Sequence, residues 1–403
     1  MRRPLIGLLA FPLIATAAAL AAQQTPPQTT FKSGVDLILI EATVLDKEGR
    51  PVADLQARDF SIKVGGKART VAAAEYIAAG RAAAATTPAT LAVPAPGPSS
   101  SASFDMARAQ FGASERTIIL AVDVDNIRSG AGRNALVDVA EYVATLPPTD
   151  RIGIMTLPGG GTTVEPTTDR ASVRAALGGM AGADHRMNSC EATIGEAAAE
   201  AAYDDRGWDA FTKRAFPPHC RVDVKDPTHR DLKVFIPIHR AQAKQTLGTL
   251  TSLAKNLGAV PGRRIIVLVS EGLYMDQDMV QDLPGFGAAL ERSRVILYAM
   301  HLDFPFSEAS AQYTGSATRL LDDRYGFDAM ANAAAFGGGA AIRAVGRATP
   351  AITRIDRELS GTYLLGIERL PTDVAGKAQE VKVDVTRKGT EVRARRNVTI
   401  AGK

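Results

Sequence analysis

The chain has 403 residues, 46% of them apolar, and a formal net charge of +4. That is material for one large domain or two modest ones, each with a full core. The net charge is small for this length, and nothing in the sequence looks like the basic stripe that a nucleic-acid binder needs.

Arg2 and Arg3 lead into an apolar stretch, Leu5 to Leu20, broken by Pro12 and followed by the small-x-small run Ala19-Leu20-Ala21. This pattern predicts a secretory signal peptide over residues 1–22. A membrane anchor is the competing reading. The stretch is short for a span and lacks a basic stop-transfer cluster. No later stretch is long and apolar enough to cross a bilayer. The expected location is therefore the periplasm or the cell exterior. Cys190 and Cys220 are the only cysteines, and an oxidising compartment favours a disulfide between them. Closing that loop of about 30 residues is worth roughly 3–4 kcal/mol in the chain-entropy model.

Residues 32–78 read as a small β unit. Val35 to Val44 alternate, Asp46 to Pro51 form a turn, and Phe60-Ser61-Ile62-Lys63-Val64 has period two. Gly65-Gly66 turns the chain into a further strand. Residues 79–111, rich in Ala, Pro and Ser, read as a linker. From residue 112 to 360 strands and helices alternate, which predicts an α/β, doubly wound, mostly parallel sheet. Its strands are Thr117 to Val122, Arg151 to Leu157, Ile265 to Val269 and Val295 to Met300, with an antiparallel edge at Thr162 to Val164. Helices are expected over Asn134–Leu146, from Thr168 or Asp169 to Leu177, over Gln242–Leu257 and over Met279–Arg292. Another runs over Asp328–Phe336, closed by Gly337-Gly338-Gly339, with a short strand from Ala341 to Val345. Residues 184–236 form an insertion that holds both cysteines. From 361 to 400 period-two patterning returns, with a turn at Lys388-Gly389. The two chain ends are expected to complete one additional β domain.

Two strands of the parallel set end in polar residues. One runs into Asp123-Val124-Asp125-Asn126 and the other into Ser270-Glu271-Gly272. The carboxyl ends of parallel strands line the edge where sites form. Carboxylate and hydroxyl oxygens there suit a hard cation, Mg²⁺ or Ca²⁺. Equally, a strand-end carboxylate such as Asp123 can accept hydrogen bonds from the loops and hold them. No histidine near Ser270 in sequence supports a nucleophile, and the Gly-x-Ser-x-Gly turn is absent. His301, at the end of the strand from Val295 and beside Asp303, can approach this edge, but a solvated loop histidine is the blander reading. His185, His219, His229 and His239 lack metal-ligand spacing, and neither glycine run has the ending of a phosphate loop.

Several long, collinear stretches carry a family resemblance: "SGVDLILIEATVLDKEGRPVADLQARDFSIKVGGK", "RTIILAVDVDN", "LPPTDRIGIMTLPGG", "LAKNLGAVPGRRIIVLVSEGL", "RVILYAMHLD", "ELSGTYLLGIE" and "VKVDVTRKGTEVRARR". In them the chain resembles the bacterial exported VWFA-related proteins, and its α/β part resembles a von Willebrand factor type A domain. The resemblance implies a protein-binding module with a metal-ion-dependent adhesion site. That site uses Asp-x-Ser-x-Ser after the first strand, a Thr from a middle loop and an Asp after the fourth strand. Asp123 matches the first position, but Asp125 and Ile127 replace the two serines. Ser270-Glu271-Gly272 replaces Thr-Asp-Gly, and Thr193 is the nearest candidate for the middle threonine. The implied metal ligands are Asp123, Asp125, Glu271 and Ser270, with Ser129 as a further hydroxyl. The site is thus altered and can be metal-free, and no other cofactor is implied. The partner is an unspecified protein. A metal-dependent hydrolase or a structural envelope scaffold are the alternatives.

Overall fold

The computed structural model describes residues 37–79, 104, 115–127, 129–159, 163–182, 194–201, 208, 235–303, 321 and 324–400. The signal peptide, Cys190, Cys220, Thr193, His185, His219 and His229 lie outside the described residues, as do most of the linker and of the insertion. The side chain of Ser129 does too.

Both chain ends build antiparallel sheets. The first half supplies β1 (Leu37–Leu45), β2 (Phe60–Val64), β3 (Lys67–Arg69) and β4 (Val71–Ala78). After a central unit with β5 to β10, the tail supplies β11 (Gly361–Glu368), β12 (Ala378–Val385), β13 (Glu391–Ala394) and β14 (Asn397–Thr399). The sheet orders are β13-β1-β11-β4 and β14-β12-β2-β3, so each contains strands from both ends. Inward residues of both pack into one core, among them Ile38, Ile40, Phe60, Ile62, Tyr363, Leu365 and Val381. Tyr363 meets Phe60 edge-on at 5.1 Å, and its hydroxyl accepts from Leu55 N at 2.9 Å. A buried ring with a satisfied hydroxyl is a strong packing anchor.

The central unit is α/β. Its strands are β5 (Arg116–Asp123), β6 (Arg151–Leu157), β7 (Thr163–Thr167), β8 (Arg263–Ser270), β9 (Val295–Leu302) and β10 (Gly338–Ala344). Their order is β10-β9-β8-β5-β6-β7, and only the β6–β7 pair is antiparallel. The helices are α1 (Ser129–Val143), α2 (Arg170–Gly179), α3 (Ile194–Ala201), α4 (Phe235–Leu257), α5 (Gln277–Arg292), α6 (Ala329–Phe336) and α7 (Thr349–Glu358). Val139, Val173 and Ile355 of α1, α2 and α7 cover one face of the sheet. Leu250, Leu283 and Met330 of α4, α5 and α6 cover the other. Every residue of β5, β8 and β9 is buried, as a strand covered on both faces requires. Asp169 caps α2 by accepting from Ala171 N and Ser172 N. No helix among the described residues is long and apolar enough to cross a membrane.

Two expectations need correction. The run Gly337-Gly338-Gly339 does more than close α6, because β10 begins at Gly338. A Cβ on Gly339 would lie 2.2 Å from Leu297 O, so these glycines let β10 approach β9. α4 begins at Phe235, seven residues before its expected start, with Pro237 in its first turn where the missing N–H costs nothing.

The amino ends of the parallel strands carry buried arginines. Arg116 Nε and Nη2 reach the two carboxylate oxygens of Asp150 at 3.0 and 2.5 Å, and Nη2 also lies 2.9 Å from Asp356. Arg263, next to it in register, donates Nη1 to Leu359 O at 2.8 Å. Burial pushes the Arg263 guanidinium down to about 10, against the pull of Glu41 in β1. Arg395, after β13, donates to Val295 O at 2.9 Å, and Glu358 of α7 is shared by Arg354, Arg393 and Tyr298. These contacts tie the antiparallel sheets to the amino edge of the α/β unit. Removing one member of a buried pair strands the other charge. Asp150→Ala is therefore expected to cost about 3–5 kcal/mol in urea unfolding. A loss below about 1 kcal/mol would mean that Asp356 alone satisfies Arg116.

Candidate functional site

Strand order reverses between β5 and β8, which creates a switch point at their carboxyl ends. Ligand sites of doubly wound sheets lie in that crevice. Register fixes what sits there. Leu157 pairs with Asp123, Ser270 with His301, and His301 with Arg343. Val122 pairs with Val269, so Asp123 and Ser270 follow side by side. In-register residues of a parallel sheet project from one face, with strands about 4.8 Å apart. Asp123, Ser270, His301 and Arg343 thus form one polar row, continuous with the apolar face under α4, α5 and α6.

Asp123 is fully buried. Its Oδ2 accepts from Asn126 Nδ2 at 2.9 Å and lies 3.0 Å from Ser270 Oγ. Ser270 Oγ is also 2.9 Å from Gly272 O and accepts from Gly272 N at 3.2 Å. Its single hydroxyl hydrogen is shared between a carboxylate and a carbonyl. Glu271 N donates to Asn126 O at 3.0 Å, so backbone and side chains both sew the β5 loop to the β8 loop. The β5 loop turns as a 3₁₀ segment, Val124–Asn126, which buries Asn126 and leaves Asp125 exposed. Glu271 is half-buried. Ile127, where the resemblance has a serine, is fully buried in the core under α1.

Of the expected ligands, Asp123 and Ser270 meet directly. Asp125 and Glu271 stand on the same two loops. Among the described residues, no three His, Cys, Asp or Glu side chains gather closely enough to hold a metal ion. Thr193 and the hydroxyl of Ser129 lie outside the described residues.

His301 departs from the sequence reading. It belongs to β9, is only 5% exposed, and neighbours Ser270 in register. A histidine distant in sequence is thus adjacent to that serine in space. The Ser270 hydroxyl is nevertheless fully buried and engaged by Asp123 and Gly272, unlike a presented nucleophile.

The edge has a second layer that sequence reasoning missed. A π-helical turn, Arg324–Asp328, precedes α6. Tyr325 stacks on Tyr274 at 5.4 Å, while Phe327 meets His301 edge-on at 5.5 Å. The Arg343 guanidinium lies 4.0 Å from the Phe327 ring centre and pairs with Asp303 at 2.8 Å. Burial, with Asp276 nearby, raises Tyr274 to about 12, so its hydroxyl stays protonated at neutral pH. Asp276 pairs with Arg240 and caps α5 by accepting from Met279 N at 3.1 Å. The sequence signal for this layer was slight: two aromatics flanking a glycine, Tyr325-Gly326-Phe327.

No known family model matches the chain, and no curated protein matches it.

Ser270 is the pivot of this arrangement. Ser270→Ala leaves Gly272 N–H and one Asp123 bond without their partner. A buried polar group left so costs about 1–3 kcal/mol. Urea unfolding is expected to show that loss, whereas a neutral result would mean that Asn126 alone secures the two loops.

Proposed function

We propose that the chain is an exported, non-enzymatic protein-interaction module of the VWFA-related kind. Its α/β unit is read as a von Willebrand type A domain with an altered, metal-free adhesion edge. The observation that carries this reading is the Asp123 carboxylate, buried at the switch point and bonded to Asn126 and Ser270. A carboxylate so engaged fixes two loops rigidly and presents the side chains at their tips. Rigid loops on a scaffold lose little entropy on binding, which favours recognition. The exposed Asp125 and half-buried Glu271 give the tips acidic character suited to a basic patch on a partner.

The partner is to be isolated with the tagged full-length chain from an envelope extract, and its affinity then measured with purified components. Charge reversal at both tips, Asp125→Lys with Glu271→Lys, is expected to weaken binding at least tenfold while the chain still unfolds cooperatively. Chelator is expected to leave wild-type binding unchanged. Equal binding by the reversed variant would place the interface elsewhere, and loss of binding in chelator would reinstate a cation. Purified turnover of any substrate that is abolished by Asp123→Ala, with folding intact, would replace the reading with an enzymatic one.

Export and the disulfide form a second proposal, resting on the leader-like residues 1–22 and on there being only two cysteines. The secreted or periplasmic fraction is expected to contain a chain lacking about the first 22 residues. Its Cys190 and Cys220 should react with an alkylating agent only after reduction. A cytosolic, full-length product with both thiols reactive would refute it.

A further inference from the structure

We propose that the π-turn Arg324–Asp328 is a cover over the recognition edge, and that it must lift before the floor of that edge can be reached. The proposal rests on the reading of this edge as the recognition surface, but its test needs no partner.

Three contacts hold the turn to the edge, and helix α3 also packs against it. Its middle residue, Gly326, sits backbone to backbone on Gly272. A Cβ on Gly272 would stand 3.1 Å from Gly326 Cα, and Gly272 itself has φ +152, where side chains are strained. On one side of this seat Tyr325 stacks on Tyr274, and on the other Phe327 presses on His301 beneath Arg343. Only Gly326 of the turn is buried. Arg324 and Asp328 at its ends are exposed, and Tyr325 and Phe327 are half-buried. The turn therefore rests on the edge by one backbone seat and two ring faces. The helix that follows is anchored separately, through Ala329, Met330 and Ala333 in the core. A break at the join of turn and helix would lift the turn while α6 stays packed. Beneath lie His301 and the loop of Ser270, Glu271 and Gly272, polar groups placed under aromatic rings. π-turns next to helices recur at functional sites, because the extra residue weakens the local hydrogen-bond ladder.

The test reads His301 directly. The full chain is treated with diethyl pyrocarbonate, and carbethoxylation of His301 is followed by peptide mass spectrometry. Wild-type His301 is expected to react slowly. Phe327→Ala removes one clamp, and Gly272→Ala drives a methyl into the seat. Each should speed His301 at least tenfold while the chain still unfolds cooperatively in urea. Gly326→Ala is the contrasting variant. Its methyl would meet its nearest neighbours at 3.6–3.9 Å, ordinary contact distance, so His301 should remain protected. Unchanged protection of His301 in both Phe327→Ala and Gly272→Ala would overturn the cover. So would loss of cooperative urea unfolding in these variants, since that reports general loosening.

Discussion

The constraint on which the rest of the molecule depends is the buried charge layer at the amino edge of the parallel sheet. Arg116 and Arg263 begin the two central strands and are almost wholly excluded from solvent. Charges there survive only if they are paired or hydrogen-bonded. Asp150 and Asp356 meet Arg116, the end of α7 meets Arg263, and Glu358 gathers Arg354, Arg393 and Tyr298. Because the partners come from helix, loop and tail strand, satisfying them sets the antiparallel sheets against one end of the α/β unit. The opposite end, with its loops, is left open.

That division of labour explains the contrast between the two ends of β5 and β8. At the amino end, arginines bind carboxylates across elements and fix the architecture. At the carboxyl end, Asp123 accepts from an amide and a hydroxyl of adjacent loops. The bonds there are local, so they shape an edge and join no units.

Much of the fold was legible in the sequence because burial writes itself as periodicity. The all-apolar run Ile265 to Val269 marks a strand covered on both faces, and the alternation from Phe60 to Val64 marks one covered on a single face. The polar endings at Asp123 and Ser270 marked the edge. What periodicity does not encode is neighbourhood across strands. His301 lies 31 positions after Ser270 in the chain yet beside it in register, and nothing local reports that pairing. The buried arginines were hidden for the same reason. Arg116 and Arg263 flank apolar strands, and their partners Asp150, Asp356 and Leu359 are remote in sequence. Gly337 to Gly339 looked like a helix stop because a glycine run serves equally well for close strand approach.

Strand β1 is paired on both sides by tail strands, β11 and β13. Thr43 of β1 and Gly361 of β11 are hydrogen-bonded across a separation of 318 residues. A chain synthesised from its amino end delivers β1 first and its partners last. Contacts so distant form slowly, because the intervening loop must close before they repay its entropy. The central α/β unit shortens that loop once it has folded, by bringing residues 115 and 361 to one edge. The sandwich is thus a late product of folding. Until the final residues arrive, β1 to β4 carry open edges that invite pairing with another chain. Loss of even the last few strands would leave the head of the protein, not its tail, as the part that aggregates.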